Sequence, residues 1–441
     1  MKKLSIWKKI ACGSTLALLA LPYSTFASNY QLFQTNASNA GDGGAGGAAI
    51  ANNATTAYNN PAGLTRLNKQ ELIFSAVGID TYAKFNGTNT WSSPGFPTYT
   101  AAGSAHAGTF NILPSLYYSL PLVRNMWFGF SSSSTYGLAT NYNSNSVVRY
   151  SAVKGILEVA NLSPSLAFKL TDQVSLAGGI DLTRILFYFD TMTGAPGLAP
   201  ATPRAFDTIG KANAYGWGIG GHIGALFQLT PDTRVGVAYH SRISSTLVGG
   251  STLQGPLVTI PSKIVSQRNF SFAQVLPATT ALSAYHDFNS RWSMDGTINY
   301  TQWSQVPGMA TFVNVAGKTP TTPVTFSVPQ HYRDTFFFGL GANYKAGDRW
   351  ILRGGVNYDE TPVKSRERNV ILPDGDRVGL AIGAHYQASK KIGIDAGWTH
   401  IFVQDVNINY PTTIGAQTST TVGTYKASHA DIFGAQLVWD I

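Results

Sequence analysis

Hydrophobic and polar residues alternate along most of this chain. From Arg291 to Tyr300, Trp292, Met294, Gly296, Ile298 and Tyr300 hold one parity and Arg291, Ser293, Asp295, Thr297 and Asn299 the other, the period-two signature of a two-faced β-strand. About ten residues at roughly 3.3 Å each, tilted near 40°, rise about 25 Å, the height of the apolar band of an outer-membrane barrel. Trp350, Leu352, Val356 and Tyr358 oppose Arg349, Arg353, Asn357 and Asp359 in the same way. Ile392, Ile394, Ala396 and Trp398 oppose Lys391, Asp395 and Thr399, and Val378, Leu380, Ile382 and Tyr386 form another such row. Followed end to end, the pattern predicts about fourteen strands, beginning near Gln70, Ala107, Arg124, Val159, Gln173, Asn213, Asp232, Phe270, Ser290, His331, Asp348, Asp376, Lys391 and Ala427. The expected fold class is all-β, a 14-stranded antiparallel transmembrane barrel, whose even strand number suits a single bacterial chain.

The connections alternate too. Tight turns are expected near Pro121, Asp172, Pro231-Asp232, Asn289, Ala346-Gly347 and Ser389-Lys390, and between them come long stretches rich in Gly, Ser, Thr, Asn and Pro, such as 86–106, 191–211, 249–268 and 304–330. Short periplasmic turns facing longer outer loops is the habit of this architecture. The closing strand carries Phe433, Ala435, Leu437, Trp439 and Ile441 in phase. An aromatic residue usually ends such a barrel, so Ile441 departs from the pattern while Trp439 keeps the register. Outer-membrane lipid and the barrel-assembly machinery are the partners such a wall implies.

Two segments precede the strands. Lys2, Lys3, Lys8 and Lys9, the apolar run from Ala11 to Leu21 and the small residues around Thr25-Phe26-Ala27 read as a signal peptide over 1–27. That run is too short for a membrane-spanning helix. Residues 28–69, rich in Gly, Ala and Asn, lack sustained alternation. Their length suits a small hatch plugging the lumen of the barrel formed by 70–441, since wall side chains alone do not fill a wide bore; the alternative is a periplasmic tail.

Composition agrees with a wall that meets lipid on one side. Charged residues make up 12% of the chain, about half the share of a soluble globule. Formal charge is +9, but with the four signal lysines removed 27 basic and 22 acidic residues remain, about +5 and spread without a basic block. Nucleic acid is thereby excluded as a partner. The single cysteine, Cys12, lies in the signal, so disulfides, thiolate catalysis and cysteine metal sites drop out. Gly41, Gly43 and Gly46 match a dinucleotide fingerprint without the strand that should precede it. The eight histidines are scattered without metal-ligand spacing, and no Gly-x-Ser-x-Gly elbow occurs. No cofactor, no metal and no enzymatic activity are expected.

Parity also nominates ligand-binding residues. In the fifth strand the outward set Val174, Leu176 and Ile180 leaves Ile185, Phe187 and Phe189 pointing inward at the outer end, an apolar cluster foreign to a porin lumen and a candidate pocket wall. On the seventh strand His240 and Arg242 share inward parity toward the outer end and are candidates for pairing with a carboxylate headgroup. In the third strand Trp127, Phe128, Gly129 and Phe130 lead into 131–135, where alternation fails and small residues fit an inward bend.

The chain resembles the FadL/TodX family of outer-membrane transporters for long-chain fatty acids and aromatic hydrocarbons. The resemblance is carried by Gly41 to Ala49, Ala54 and Asn60-Pro61-Ala62, similar to the family's N-terminal hatch; by Tyr136-Gly137-Leu138-Ala139-Thr140, Trp217-Gly218, Tyr300 and Trp303-Ser304; and by Tyr332-Arg333-Asp334-Thr335, Trp350 with Arg353-Gly354-Gly355, Tyr358-Asp359-Glu360-Thr361-Pro362-Val363 and Pro373-Asp374-Gly375-Asp376-Arg377. It implies a fourteen-stranded barrel stoppered by its hatch. Ligand would land on an apolar groove among the outer loops, pass to a lumen pocket and leave sideways at a kink in the third strand, with Gly129, Tyr136 and Gly137 as candidate gate residues. The resemblance thus implies uptake of fatty acids or related compounds through the outer membrane of a Gram-negative cell. An aromatic-hydrocarbon channel, a general porin or a surface adhesin are the other readings, and a barrel lipid hydrolase would need a Ser-His pair in the wall. Conductance separates a plugged transporter from a porin.

Overall fold

Side chains at successive positions face opposite sides of one continuous wall. A computed structural model describes residues 30–441; the signal sequence and its cleavage point fall outside them. The wall is a closed antiparallel barrel of fourteen strands. They are β1 (Glu71–Tyr82), β2 (Phe110–Val123), β3 (Met126–Ser133 with Gly137–Asn141), β4 (Lys154–Lys169), β5 (Val174–Thr193), β6 (Thr208–Gln228) and β7 (Thr233–His240 with Ile243–Gln254). The circle continues through β8 (Ile264–Leu276 with Thr279–Asp287), β9 (Trp292–Thr301), β10 (Thr335–Lys345), β11 (Trp350–Asp359), β12 (Arg377–Gln387), β13 (Ile392–Val403) and β14 (His429–Asp440). The last strand pairs with the first, from Glu71 opposite Asp440 to Tyr82 opposite His429, so the sheet closes on itself.

Burial follows the period. On β13, Ile392, Ile394 and Trp398 are exposed on the outer face while Asp395 and Thr399 are buried on the inner one. At the short-turn end, Trp292 packs on Tyr344 and Trp350 on Tyr386 with ring centroids 4.7 and 4.6 Å apart, part of the aromatic girdle that sits at a membrane interface.

The structure departs from the sequence expectations in extent. β4, β6 and β8 begin at Lys154, Thr208 and Ile264 instead of near Val159, Asn213 and Phe270, and β5 and β6 run 20 and 21 residues. Their upper halves leave the membrane and go on pairing, with no change of period to mark the boundary. The turn expected near Pro121 lies at Arg124-Asn125, where Asn125 takes a positive φ of 68°; Pro121 itself pairs with Trp127. Three of the long connections also hold strands. Lys84–Ser92, Tyr99–His106, Val406–Ile414 and Gln417–Tyr425 form a four-stranded outer sheet, and Met309–Val315 pairs with Val324–Pro329 in a hairpin over β8. The outer sheet is anchored to the barrel where the Tyr142 and Tyr425 hydroxyls meet; burial pushes both above the ordinary tyrosine range and keeps them neutral.

The segment before β1 lies in the bore. Helix α1 (Ala37–Asp42) starts where the Asn36 side chain accepts from the Asn39 amide and ends at Gly43 with φ 71°. Helix α2 (Thr56–Asn59) leads into a 3₁₀ turn, Pro61–Arg66. Wall strands around the whole circumference reach these elements. Ser75 accepts from the Ala37 amide at 3.2 Å, Thr399 donates to the Ala40 carbonyl at 2.6 Å, Asn357 to Gly43 at 2.8 Å, Arg234 to Ala49 at 2.6 Å and the Trp127 indole to Leu67 at 2.8 Å. Helix α1 touches the wall backbone-to-backbone: a Cβ on Gly383 would lie 2.6 Å from the Gly41 Cα, and one on Gly397 2.5 Å from the Gly41 nitrogen.

Candidate ligand cavities and wall opening

Inward parity on the long upper halves of β5 and β8 places aromatic rings opposite one another. Phe187 meets Phe272 edge-on at 4.6 Å, Phe272 lies 4.9 Å from Phe312, and Phe312 stacks on Phe326 at 5.1 Å. These rings lie between two adjoining apolar cavities. The inner one, about 120 Å³, is bounded by Phe187, Phe189, Phe272, Phe312, Tyr332 and Tyr30 among others. The outer one, about 180 Å³, lies under the outer sheet against Trp91, Phe189, Phe270, Phe312 and Phe326. Ile185 is fully buried in the same apolar cluster, behind Phe187. Phe270, Phe272, Phe312 and Phe326 escaped the sequence reading. The first two stand two apart on inward parity, a signal that was there to use; the other two come from an outer hairpin read only as a long connection.

The third strand is broken. Its alternation continues through Ser133, beyond the point expected, and fails at Ser134–Tyr136. Three residues there oppose only Val159 and Ala160 of β4, a one-residue bulge. Beyond it, Gly137–Asn141 pairs with β4 alone, and β2 above Leu116 pairs with β1 alone, so the seam between β2 and β3 is open. The chain's own start fills the inner side of the bend. The Leu32 amide donates to the Thr135 carbonyl at 2.8 Å and the Gly137 amide to Tyr30 at 2.6 Å. Tyr30 packs edge-on against Trp303 at 4.8 Å, and the Tyr136 hydroxyl crosses to the Pro277 carbonyl at 3.0 Å. Tyr136 and Gly137 therefore sit at the break. Gly129 does not: it lies lower in the bore, where a Cβ would come 2.5 Å from Leu64 and 3.3 Å from Ala57, so it seats the plug. Asn60, Pro61 and Ala62 are buried in that plug, with the Asn60 amide donating to the carbonyls of Ala48 and, on β6, Ala225.

The basic pair expected on β7 is not a pair. His240 lies at mid-strand, because β7 resumes at Ile243 and continues to Gln254, and its ring is engaged by Asp181 at 3.1 Å and by the Tyr58 carbonyl at 3.2 Å. Parity slips by one across Ser241-Arg242: Ala238 is buried before it, Ile243 and Ser245 after it, and Arg242 is exposed on the other side. A bulge that period counting cannot see thus turns Arg242 away from the bore. Of the two apolar cavities, the outer one is bordered by Lys211 and Lys318. The histidines are not all scattered either, for His222 and His240 converge on Asp181.

A family model described as outer membrane protein transport protein (OMPP1/FadL/TodX) matches residues 18–440. The chain belongs to the FadL/TodX family. As a member of it, the chain is an outer-membrane transport protein and not a hydrolase. It is 26% identical to a long-chain fatty acid transport protein of Salmonella typhi over 93% of its own length and 95% of the relative's. It is 28% identical to a 47 kDa outer membrane protein of Pasteurella multocida, covering 91% of this chain and 93% of that one. Among solved structures, a Pseudomonas aeruginosa FadL homologue superposes with a TM-score of 0.80 at 25% identity, covering 93% of this chain and 99% of the other. The Pseudomonas putida toluene transporter TodX shares the fold with a TM-score of 0.65 at 15% identity, over 95% and 99% of the two chains.

Proposed function

We propose that the chain takes up long-chain fatty acids or closely related hydrophobic molecules, passing them from the outer cavity to the inner one and out sideways through the break in β3. The observation that carries this is the lining that the two cavities share. Phe189, Phe312 and Phe326 border both cavities, and the inner cavity ends on Tyr30, whose backbone is bonded to the bend. Burying apolar surface is worth about 25 cal/mol per Å², so a route that stays apolar holds the ligand without releasing it to water. Lys211 and Lys318 face the outer cavity while, among the described residues, no Lys or Arg borders the inner one. A fatty acid would therefore lie with its carboxylate outward and its chain among the phenylalanines. The Salmonella relative's fatty-acid role agrees with this. An uncharged aromatic hydrocarbon is the second reading, favoured by the cation-free, phenylalanine-rich inner cavity and by the fold shared with toluene transporters.

Two experiments test the route. Phe187→Ala removes apolar wall from the inner cavity. Losing on the order of 40 Å² of apolar contact at about 25 cal/mol per Å² costs about 1 kcal/mol and is expected to weaken oleate binding to the purified protein roughly 5-fold; unchanged affinity would discard the inner cavity as the binding site. Deleting Thr135 removes the extra residue of the bulge and lets β3 keep step with β4 through the break. Uptake of radiolabelled oleate by cells relying on this chain should then be lost while binding to the purified protein persists. Undiminished uptake would rule out lateral exit.

A further inference from the structure

Asp181 on β5, His222 on β6 and His240 on β7 stand together in the bore, and the transport route uses none of them. Register brings them there: His222 is the ladder partner of His240 and also of Gly179, two residues before Asp181. His222 Nδ1 lies 2.9 Å from one Asp181 carboxylate oxygen and His240 Nδ1 3.1 Å from the other. One ligand-type atom from each of the three falls within 4.8 Å of the others.

The hydrogen-bond chemistry leaves the cluster short of a positive charge. His240 Nε2 lies 3.2 Å from the Tyr58 carbonyl oxygen, which can only accept. The ring must then carry its proton on Nε2, and in a neutral imidazole that leaves Nδ1 as a bare lone pair aimed at a carboxylate. Two acceptors facing each other in a water-poor bore repel unless a cation lies between them. We propose that Asp181, His222 and His240 bind a divalent transition-metal cation of the zinc class, which bolts the plug to the wall.

One carboxylate and two imidazoles make a donor set that zinc accepts. In a tetrahedral site with bonds of roughly 2.0–2.1 Å, ligand atoms stand about 3.3 Å apart, so the two His–carboxylate spacings of 2.9 and 3.1 Å need a slight dilation, and the ligand atoms as a group already lie within 4.8 Å of one another. The Tyr58 carbonyl on the far nitrogen of His240 is the outer-shell partner that orients a metal-bound imidazole, and the Ser163 hydroxyl, donating to Asp181 at 2.5 Å, does the same for the carboxylate. His222 is fully enclosed, and among the described residues its Nε2 has no hydrogen-bond partner. Its one polar contact is therefore with Asp181, so apart from ligand duty little explains a histidine there. A fourth position has room for water, because a cavity of about 100 Å³ borders Asp181, His240, Tyr58 and Asn59. Tyr58 also stacks on His240 with ring centroids 4.6 Å apart, so the ion would join β5, β6 and β7 to helix α2.

The test uses untagged, full-length protein in detergent, stripped with chelator and titrated with Co²⁺. One equivalent should bind with the visible absorption of four-coordinate cobalt, and Zn²⁺ should bleach it. His222→Gln and His240→Gln should each weaken binding more than about 100-fold, beyond the 10- to 100-fold cost of losing an outer-shell partner, while His385→Gln, elsewhere in the bore, should not. Heat-modifiable mobility on gels confirms that each variant is folded. If folded wild-type protein binds neither metal saturably, the metal site is refuted. Binding that survives in both glutamine variants refutes it equally.

Discussion

Gly397→Leu should unplug the bore. In planar bilayers the wild-type protein is expected to pass little ion current, and the variant to open often, because the new side chain occupies space that helix α1 now fills. A Cβ at Gly397 would lie 2.5 Å from the Gly41 nitrogen and 2.9 Å from the Ala40 carbonyl carbon. Both are backbone atoms, so no rotamer change relieves the clash. Overpacking of this kind costs about 1–3 kcal/mol, which shifts the population with α1 displaced by roughly 5- to 150-fold. The wall itself gains only an inward leucine on a strand whose pairing is untouched. Ala396→Leu, one residue away on the exposed outer face, is the control and should leave conductance unchanged. A folded Gly397→Leu barrel with wild-type conductance would show that residues of the plug are not what closes the bore.

How far the sequence carried this argument depends on the period of each element. Strand number and inward parity were legible because lipid on one side and a packed lumen on the other force strict alternation, as between Ile394 and Asp395. That is why the inward facing of Ile185 and Phe187 could be read in advance. What the sequence hid was whatever depends on register between strands or on breaks within one. Arg242 was misplaced because a single extra residue after His240 reverses the parity of everything beyond it. Gly129 was misplaced because a glycine near a bend and a glycine under the plug look alike until Leu64 is seen against it. Asp181, His222 and His240 lie far apart in sequence and converge only because β5, β6 and β7 pair in one particular alignment. The outer sheet was missed since its threonine-rich strands carry the composition of loops.

The second large effect should come from a charge held under the plug. Arg353 on β11 and Asp395 on β13 meet over the intervening strand β12, on the bore side of the wall, with side-chain exposures of 5% and 0%. Asp395 also takes a hydrogen bond from Gln436 at 2.9 Å and lies 3.2 Å from His385 Nδ1, while the Ser38 hydroxyl at the start of α1 stands 3.5 Å away. Arg353→Met keeps the apolar stem and removes the guanidinium, leaving Asp395 buried without its main counter-charge. Breaking one side of a buried pair costs about 3–5 kcal/mol, whereas replacing both sides with apolar groups of similar volume is often neutral. Urea unfolding of the refolded barrel in micelles, followed by tryptophan fluorescence, should therefore show Arg353→Met destabilised by about 3–5 kcal/mol and the Arg353→Met, Asp395→Leu double variant recovering most of the loss. The recovery is the informative half, because it separates an orphaned charge from a packing defect at Arg353. If the double variant is no better than the single one, the stem and not the charge holds this region, and the ion pair contributes little to seating α1.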